Sequence, residues 1–293
     1  MITLNPSPIQ LLPTRSRPAE ANGAWHLRRI VMRTLSFGIC LPCATATLAA
    51  DPSLKGYQEQ TIRATIGGRA DQPVKFLLLR PAQIEPGKKY PVILFLHGAG
   101  ERGSDNRAQL VHFPEKMSEP DRRAQFPALV VVPQCPAGKR WVEVNWAAKQ
   151  STPQPAEPTE PMQAAIAALQ HVLKAEPADA ARVYLLGLSM GGYGTWDLAA
   201  RHPEWFAAIA PVCGGGDERQ AARLKDVPIW AFHGEKDTVV PVARSRTMVE
   251  AIRAAGGKPK YSELPGVAHN SWQHAFDEKS GLLTWMFEQS RGR

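Results

Sequence analysis

The 293-residue sequence is poor in cysteine and has no apolar run long enough for a comfortable membrane span. It holds four cysteines, and no Cys/His spacing points to a metal site. No internal repeat is visible, which argues against a solenoid or propeller. Basic residues exceed acidic ones for a net charge of +8. No basic run interleaves with aromatics, however, so nucleic-acid binding has little support. Residues 34–50 form the most apolar stretch, but Pro42 interrupts it and a spanning helix needs about 20 apolar residues.

What the chain does have is a strand-turn-helix built around a serine. Arg182 to Gly187 is an apolar, β-rich run that drives into Gly187-Leu188-Ser189-Met190-Gly191, and Thr195 to Ala200 continues as an amphipathic helix ending at His202-Pro203. G-x-S-x-G in this context is a nucleophile elbow, a strained corner that holds the Ser189 hydroxyl out for attack. Glycines at 187 and 191 fit because side chains would collide across the turn.

A serine hydroxyl needs a base, and the base needs a carboxylate to orient it. In elbow hydrolases the chain order is serine, acid, histidine. The apolar run Val227 to Gly234 reads as a buried strand, and the loop behind it offers Asp237, with Glu235 as the alternative acid. Beyond the strand Lys260–Leu264, the polar loop Pro265 to Trp272 offers His269 as the base. His274 on the following C-terminal helix and His202 at the end of the earlier one read as surface or cap residues. His233, at a strand end, reads as a satisfied interior group.

The third requirement is a pair of N–H groups for the oxyanion. Met190, after the nucleophile, supplies one. The strand Tyr90 to Leu96 runs into His97-Gly98-Ala99-Gly100-Glu101-Arg102-Gly103, a glycine-spaced loop that assigns the second donor to Ala99, with Gly100 the alternative. Arg102 is read as stiffening this loop through a salt bridge, or as a partner for a substrate carboxylate. Trp141, Trp146 and Trp272 flank the expected site loops and are candidates for an aromatic substrate wall.

Taken with Val132-Pro133-Gln134-Cys135-Pro136 and Ala210-Pro211-Val212-Cys213-Gly214-Gly215-Gly216, these segments resemble the α/β-hydrolase superfamily from about residue 57 onward. More narrowly they resemble secreted bacterial carboxylesterases and peptidases near the dienelactone hydrolases, feruloyl esterases and polyhydroxybutyrate depolymerases. The dienelactone hydrolases proper carry cysteine where this chain has Ser189. The resemblance implies a serine hydrolase of carboxylic esters that uses no cofactor and passes through an acyl-enzyme, with a peptidase or acyltransferase on the same triad as the alternative. It implies a mostly parallel central sheet with helices on both faces. It also places Cys135 and Cys213 at the ends of strands separated by two others, at about 4.8 Å per strand, beyond disulfide reach; both are expected reduced.

Residues 51–293 read as a single α/β domain. Strands are expected at 58–66, 74–80, 92–96, 128–132, 183–187, 208–212, 229–233 and 260–264, and a helix over 162–174. The proline-rich stretch 150–161 reads as a solvated connector. Residues 1–50 read as leader and signal peptide: Arg28, Arg29 and Arg33 precede the apolar stretch, and small residues precede Asp51. Met32 is the expected true start, and the expected location is periplasmic or extracellular, without stable membrane insertion after cleavage. Removing residues 1–50 lowers the net charge to +4. The expected partner is a small or polymer-derived ester; oligomeric state is left open.

Overall fold

The structure, a computed structural model, describes residues 54–292. The leader, the signal-peptide pattern, its cleavage region and the start at Met32 lie outside the described residues. In chain order the elements are β1 (Gln58–Ile66), β2 (Arg69–Leu79), β3 (Tyr90–Leu96), α1 (Phe113–Ser118), α2 (Pro120–Gln125), β4 (Leu129–Pro133), α3 (Glu160–Ala175) and β5 (Ala178–Leu188). They continue as α4 (Met190–Arg201), β6 (Ala208–Val212), β7 (Trp230–Gly234), α5 (Ala243–Ala254), β8 (Lys260–Leu264), α6 (Trp272–Ala275) and α7 (Leu282–Phe287).

The strands form an eight-stranded sheet in the order β1-β2-β4-β3-β5-β6-β7-β8. β1 and β2 pair antiparallel, as do β2 and β4, and the remaining pairings are parallel. β3 is Tyr-Pro-Val-Ile-Leu-Phe-Leu, buried throughout, as a strand covered on both faces must be. Val92, Leu94 and Leu96 meet the face packed by α3, α4 and α5, whereas Ile93 and Phe95 meet α1, α6 and α7.

All eight strands fall where the pattern puts them, but β3 begins two residues earlier than 92–96 and two others begin five residues earlier. β2 starts at Arg69 and β5 at Ala178. The first turns of β2 are exposed and polar, so no burial pattern marks them; Gly67 and Gly68, both at positive φ, turn the hairpin that pairs them with β1. The expected C-terminal helix is divided into α6, a turn over Glu278–Ser280 and α7. Gly281, at φ 72°, is the break.

The proline-rich stretch is a connector with exposed and partly buried residues, and it is also tied down. Gln154 N–H donates to Asp217 and its amide to Asp197, while the carbonyls of Pro155 and Ala156 accept from Arg201. Thr159 then caps α3 by accepting from Met162 N–H. Side chains of α4 and the Asp217 turn thus satisfy a segment whose prolines cannot donate.

The strand order reverses between β3 and β5, and ligands of open α/β sheets bind beyond the carboxyl ends of strands at such a point. Following β3, β5, β6, β7 and β8 across the sheet, the residues just past their ends include Ala99, Ser189, Cys213, Asp237 and His269. The sheet therefore gathers at one edge residues that are up to 170 positions apart in the chain.

Candidate active site

Ser189 sits between β5 and α4 at φ 53°, ψ −115°, a conformation that costs a non-glycine residue about 1–3 kcal/mol and persists only where the surroundings over-determine it. Here they do. The Ser189 N–H donates to Val212 O at 2.9 Å and its carbonyl accepts from Tyr193 N–H. A Cβ on Gly187 would lie 2.2 Å from Gly191 O, and one on Gly191 only 1.8 Å from Leu96 O. The second contact shows why glycine is needed: the first turn of α4 presses directly onto the end of β3.

That contact sets the start of α4 against the end of β3, and each of the two segments opens a helical turn. Met190 opens α4 and Ala99 opens a tight turn over Ala99–Glu101, and the first N–H groups of a helical turn have no internal acceptor. Arg102 stiffens the turn, but not through the acid expected from sequence. Its guanidinium donates to the carbonyls of Ala99 at 2.8 Å and Lys139 at 3.3 Å.

His269 Nε2 lies 2.9 Å from Ser189 Oγ, and its Nδ1 lies 2.7 Å from Asp237 Oδ2. The His269 loop is pinned to the acid's loop by Glu235 N–H to Leu264 O and Lys236 N–H to Val267 O. Gly234 makes the crossing feasible, since a Cβ there would lie 2.1 Å from Ala268 O. Asp237 has a fully buried side chain. Burial works to raise its pKa, but hydrogen bonds from His233, His269 and Val240 N–H outweigh it and hold the carboxyl well below the usual carboxylate range. Glu235 is exposed and accepts from Gly266 N–H at 2.8 Å, bracing the histidine loop from outside.

Of the three tryptophans, one has its ring against His269. Trp272 is half-buried and stands edge-on to His269, ring centroids 5.3 Å apart, with His112 at 5.4 Å on it. Trp141 is 1% exposed and donates from its indole to His97 O at 2.9 Å; it is committed to the core and is no substrate wall. Trp146 packs against the same core under the Arg140 guanidinium, and its carbonyl accepts from Tyr193. Position near a loop in sequence did not reveal which face each indole takes. His274 is exposed, and His202 ends α4 with its ring stacked on Trp205.

His97 was not singled out by sequence. It is buried, its Nε2 accepts from Cys135 N–H at 2.9 Å, and Nδ1 lies 2.7 Å from Gly98 O. Burial pulls its pKa down to about 4, so near neutrality it is an uncharged brace joining the ends of β3 and β4. Cys135 and Cys213 are both free and buried, and burial pushes the Cys213 thiol up. Among the described residues, Cys213, Asp237 and His269 present metal-ligating atoms within 4.8 Å of one another, although the last two are already engaged with each other. Positions so distant in the chain carry no ligand-spacing signal.

A family model described as phospholipase/carboxylesterase matches residues 82–281. Esterase LipC of Mycobacterium tuberculosis is 36% identical over 85 residues, 29% of this chain and 18% of that protein. A solved thermostable esterase is 35% identical with a TM-score of 0.73, covering 82% of this chain and 64% of that one. An acylaminoacyl peptidase of Pyrococcus horikoshii shares the fold at 17% identity and a TM-score of 0.60, over 83% of this chain and 43% of that one. The chain spans between 18% and 37% of the length of the first curated relatives it matches. The family match runs from ahead of β3 to Gly281, just before α7, and so takes in the Ala99 turn, the elbow and the loops of Asp237 and His269; this chain belongs to the phospholipase/carboxylesterase family of α/β hydrolases.

Proposed function

We propose that this protein is an exported serine carboxylesterase that works through an acyl-enzyme. The observation that carries the reading is the unbroken hydrogen-bonded line from Ser189 Oγ through His269 to Asp237, set beside the first N–H groups of two helical turns. In the forward step His269 Nε2 takes the Ser189 proton as Oγ attacks the ester carbonyl, and the buried Asp237 carboxylate stabilises the imidazolium that forms. Met190 and Ala99 N–H groups receive the oxyanion. Return of the proton to the departing alkoxide releases the alcohol. Water then repeats the sequence on the acyl-serine, with the same histidine as base.

Support for export is the basic, apolar and small-residue pattern of residues 28–50. Parallel assays test the reading: p-nitrophenyl esters of graded acyl length, peptide anilides, and an ester with a competing acyl acceptor. Hydrolysis of the esters with fluorophosphonate labelling at Ser189 is expected. Cleavage confined to anilides would transfer the protein to the peptidases, and absence of both turnover and labelling would sink the reading.

A further inference from the structure

Asp237 is held from two sides, and only one of them is the base. His233, the fourth residue of β7, has a side chain with no solvent exposure. Its Nε2 lies 2.9 Å from Val240 O and 3.3 Å from Asp237 Oδ2. Both neighbours are acceptors, so this nitrogen carries a proton and donates between them. On the other side of the ring, Nδ1 lies 2.7 Å from Ser245 Oγ on α5, which in turn lies 3.0 Å from Gly214 O. Ser245 is 1% exposed. The ring is thus clamped between α5 and the acid's loop, with both nitrogens occupied.

The carboxylate's four contacts follow. Oδ1 accepts from Val239 and Val240 N–H, each at 2.9 Å, and Oδ2 lies 2.7 Å from His269 Nδ1 and 3.3 Å from His233 Nε2, whose N–H is shared with Val240 O. Two backbone donors on Oδ1 leave the carboxylate free to tilt about that edge. The His233 donor on Oδ2 removes that freedom and aims the oxygen at His269. A buried group that orients the groups touching the reacting atoms acts through geometry, and small errors of placement are expensive in rate.

We propose that His233, anchored by Ser245, is a positioning residue of the triad that acts through Asp237. The inference rests on the triad assigned above. It predicts coupling to the carboxylate, which a purely structural role would not show.

The test is a set of double-mutant cycles on p-nitrophenyl butyrate hydrolysis by the full chain, with folded fraction measured by circular dichroism. His233→Leu should lower kcat roughly 10–100-fold with KM within about twofold, the range expected for coupled neighbours. His233→Gln, which restores an N–H near the Nε2 position, should recover all but about fivefold. Ser245→Ala, which keeps the ring but frees Nδ1, should cost about three- to tenfold in kcat. In an Asp237→Asn background each change should cost less than about twofold, because the oriented group is gone. Equal losses in both backgrounds, or an unchanged kcat in folded His233→Leu, would overturn the proposal. If His233→Leu does not fold, Ser245→Ala and His233→Gln decide it by the same comparison. Full activity of Asp237→Asn alone would remove the triad reading, and with it this inference; loss in Asp237→Asn without coupling to His233 removes the inference only.

Discussion

At the scale of single residues the proposed mechanism separates groups assigned to the chemistry, with Ser189 as the nucleophile, from groups that hold them. Ser189→Ala removes the nucleophile while leaving a small residue at the elbow, so esterase turnover should fall to background with an unchanged unfolding midpoint; retained turnover would move the nucleophile elsewhere. Asp237→Asn should cost about 10³–10⁴ in kcat, because an amide facing His269 Nδ1 selects the wrong tautomer. Glu235→Gln should stay within about threefold, since the amide oxygen can still accept from Gly266 N–H. Steady-state kinetics on the pair decides between the two acids. Damage from Glu235→Gln with a sound Asp237→Asn would exchange their roles.

At the scale of elements, the elbow and the Ala99 turn are mutually supporting. Gly191→Ala puts a methyl where Leu96 O already lies, at 1.8 Å from the ideal Cβ, so α4 must back away from β3 and separate the two proposed oxyanion donors. Loss of most activity together with a drop of several degrees in unfolding temperature is expected; an active, equally stable variant would contradict the packing. His97, the brace between β3 and β4, carries a pH signature. Its pKa falls from 6.5 to about 4 on burial, so the unfolded chain binds a proton more readily than the folded one. Its contribution is fully present above pH 6.5 and is lost as pH falls toward about 4, to the extent of roughly 3 kcal/mol at about 1.4 kcal/mol per pKa unit. Urea unfolding from pH 7 to 4.5 should show the decline, and it should flatten in His97→Asn. An identical slope in the variant would assign the decline to other groups.

At the scale of the whole molecule, expression of the full reading frame in an exporting host should yield a product beginning between Ala46 and Asp51, and a frame starting at Met32 should be exported equally well. N-terminal sequencing of the released protein measures both, and a cytoplasmic mature enzyme would overturn the localisation. Sequence alone determined the order of the strands along the chain, because burial on both faces of a parallel sheet demands continuous apolar runs such as Val92–Leu96. It also singled out Ser189, Asp237 and His269, because a strained elbow and glycine-marked loops leave local signatures. The polar starts of β2 and β5 left no such trace, since exposed strand residues carry no burial pattern and are held by backbone pairing, with β1 across the Gly67–Gly68 turn and with β3 at Tyr90. Nor did sequence show that Trp141 serves the core while Trp272 faces His269, that Arg102 grips carbonyls, or that Arg201 and Gln154 strap down the proline-rich segment. Those outcomes depend on which atoms meet across the sheet. The second hold on Asp237 is in part of the same kind: His233 reads from sequence as a satisfied interior group, which its burial bears out, but its partner Ser245 lies twelve positions on, and only the docking of α5 against the end of β7 turns them into one clamp.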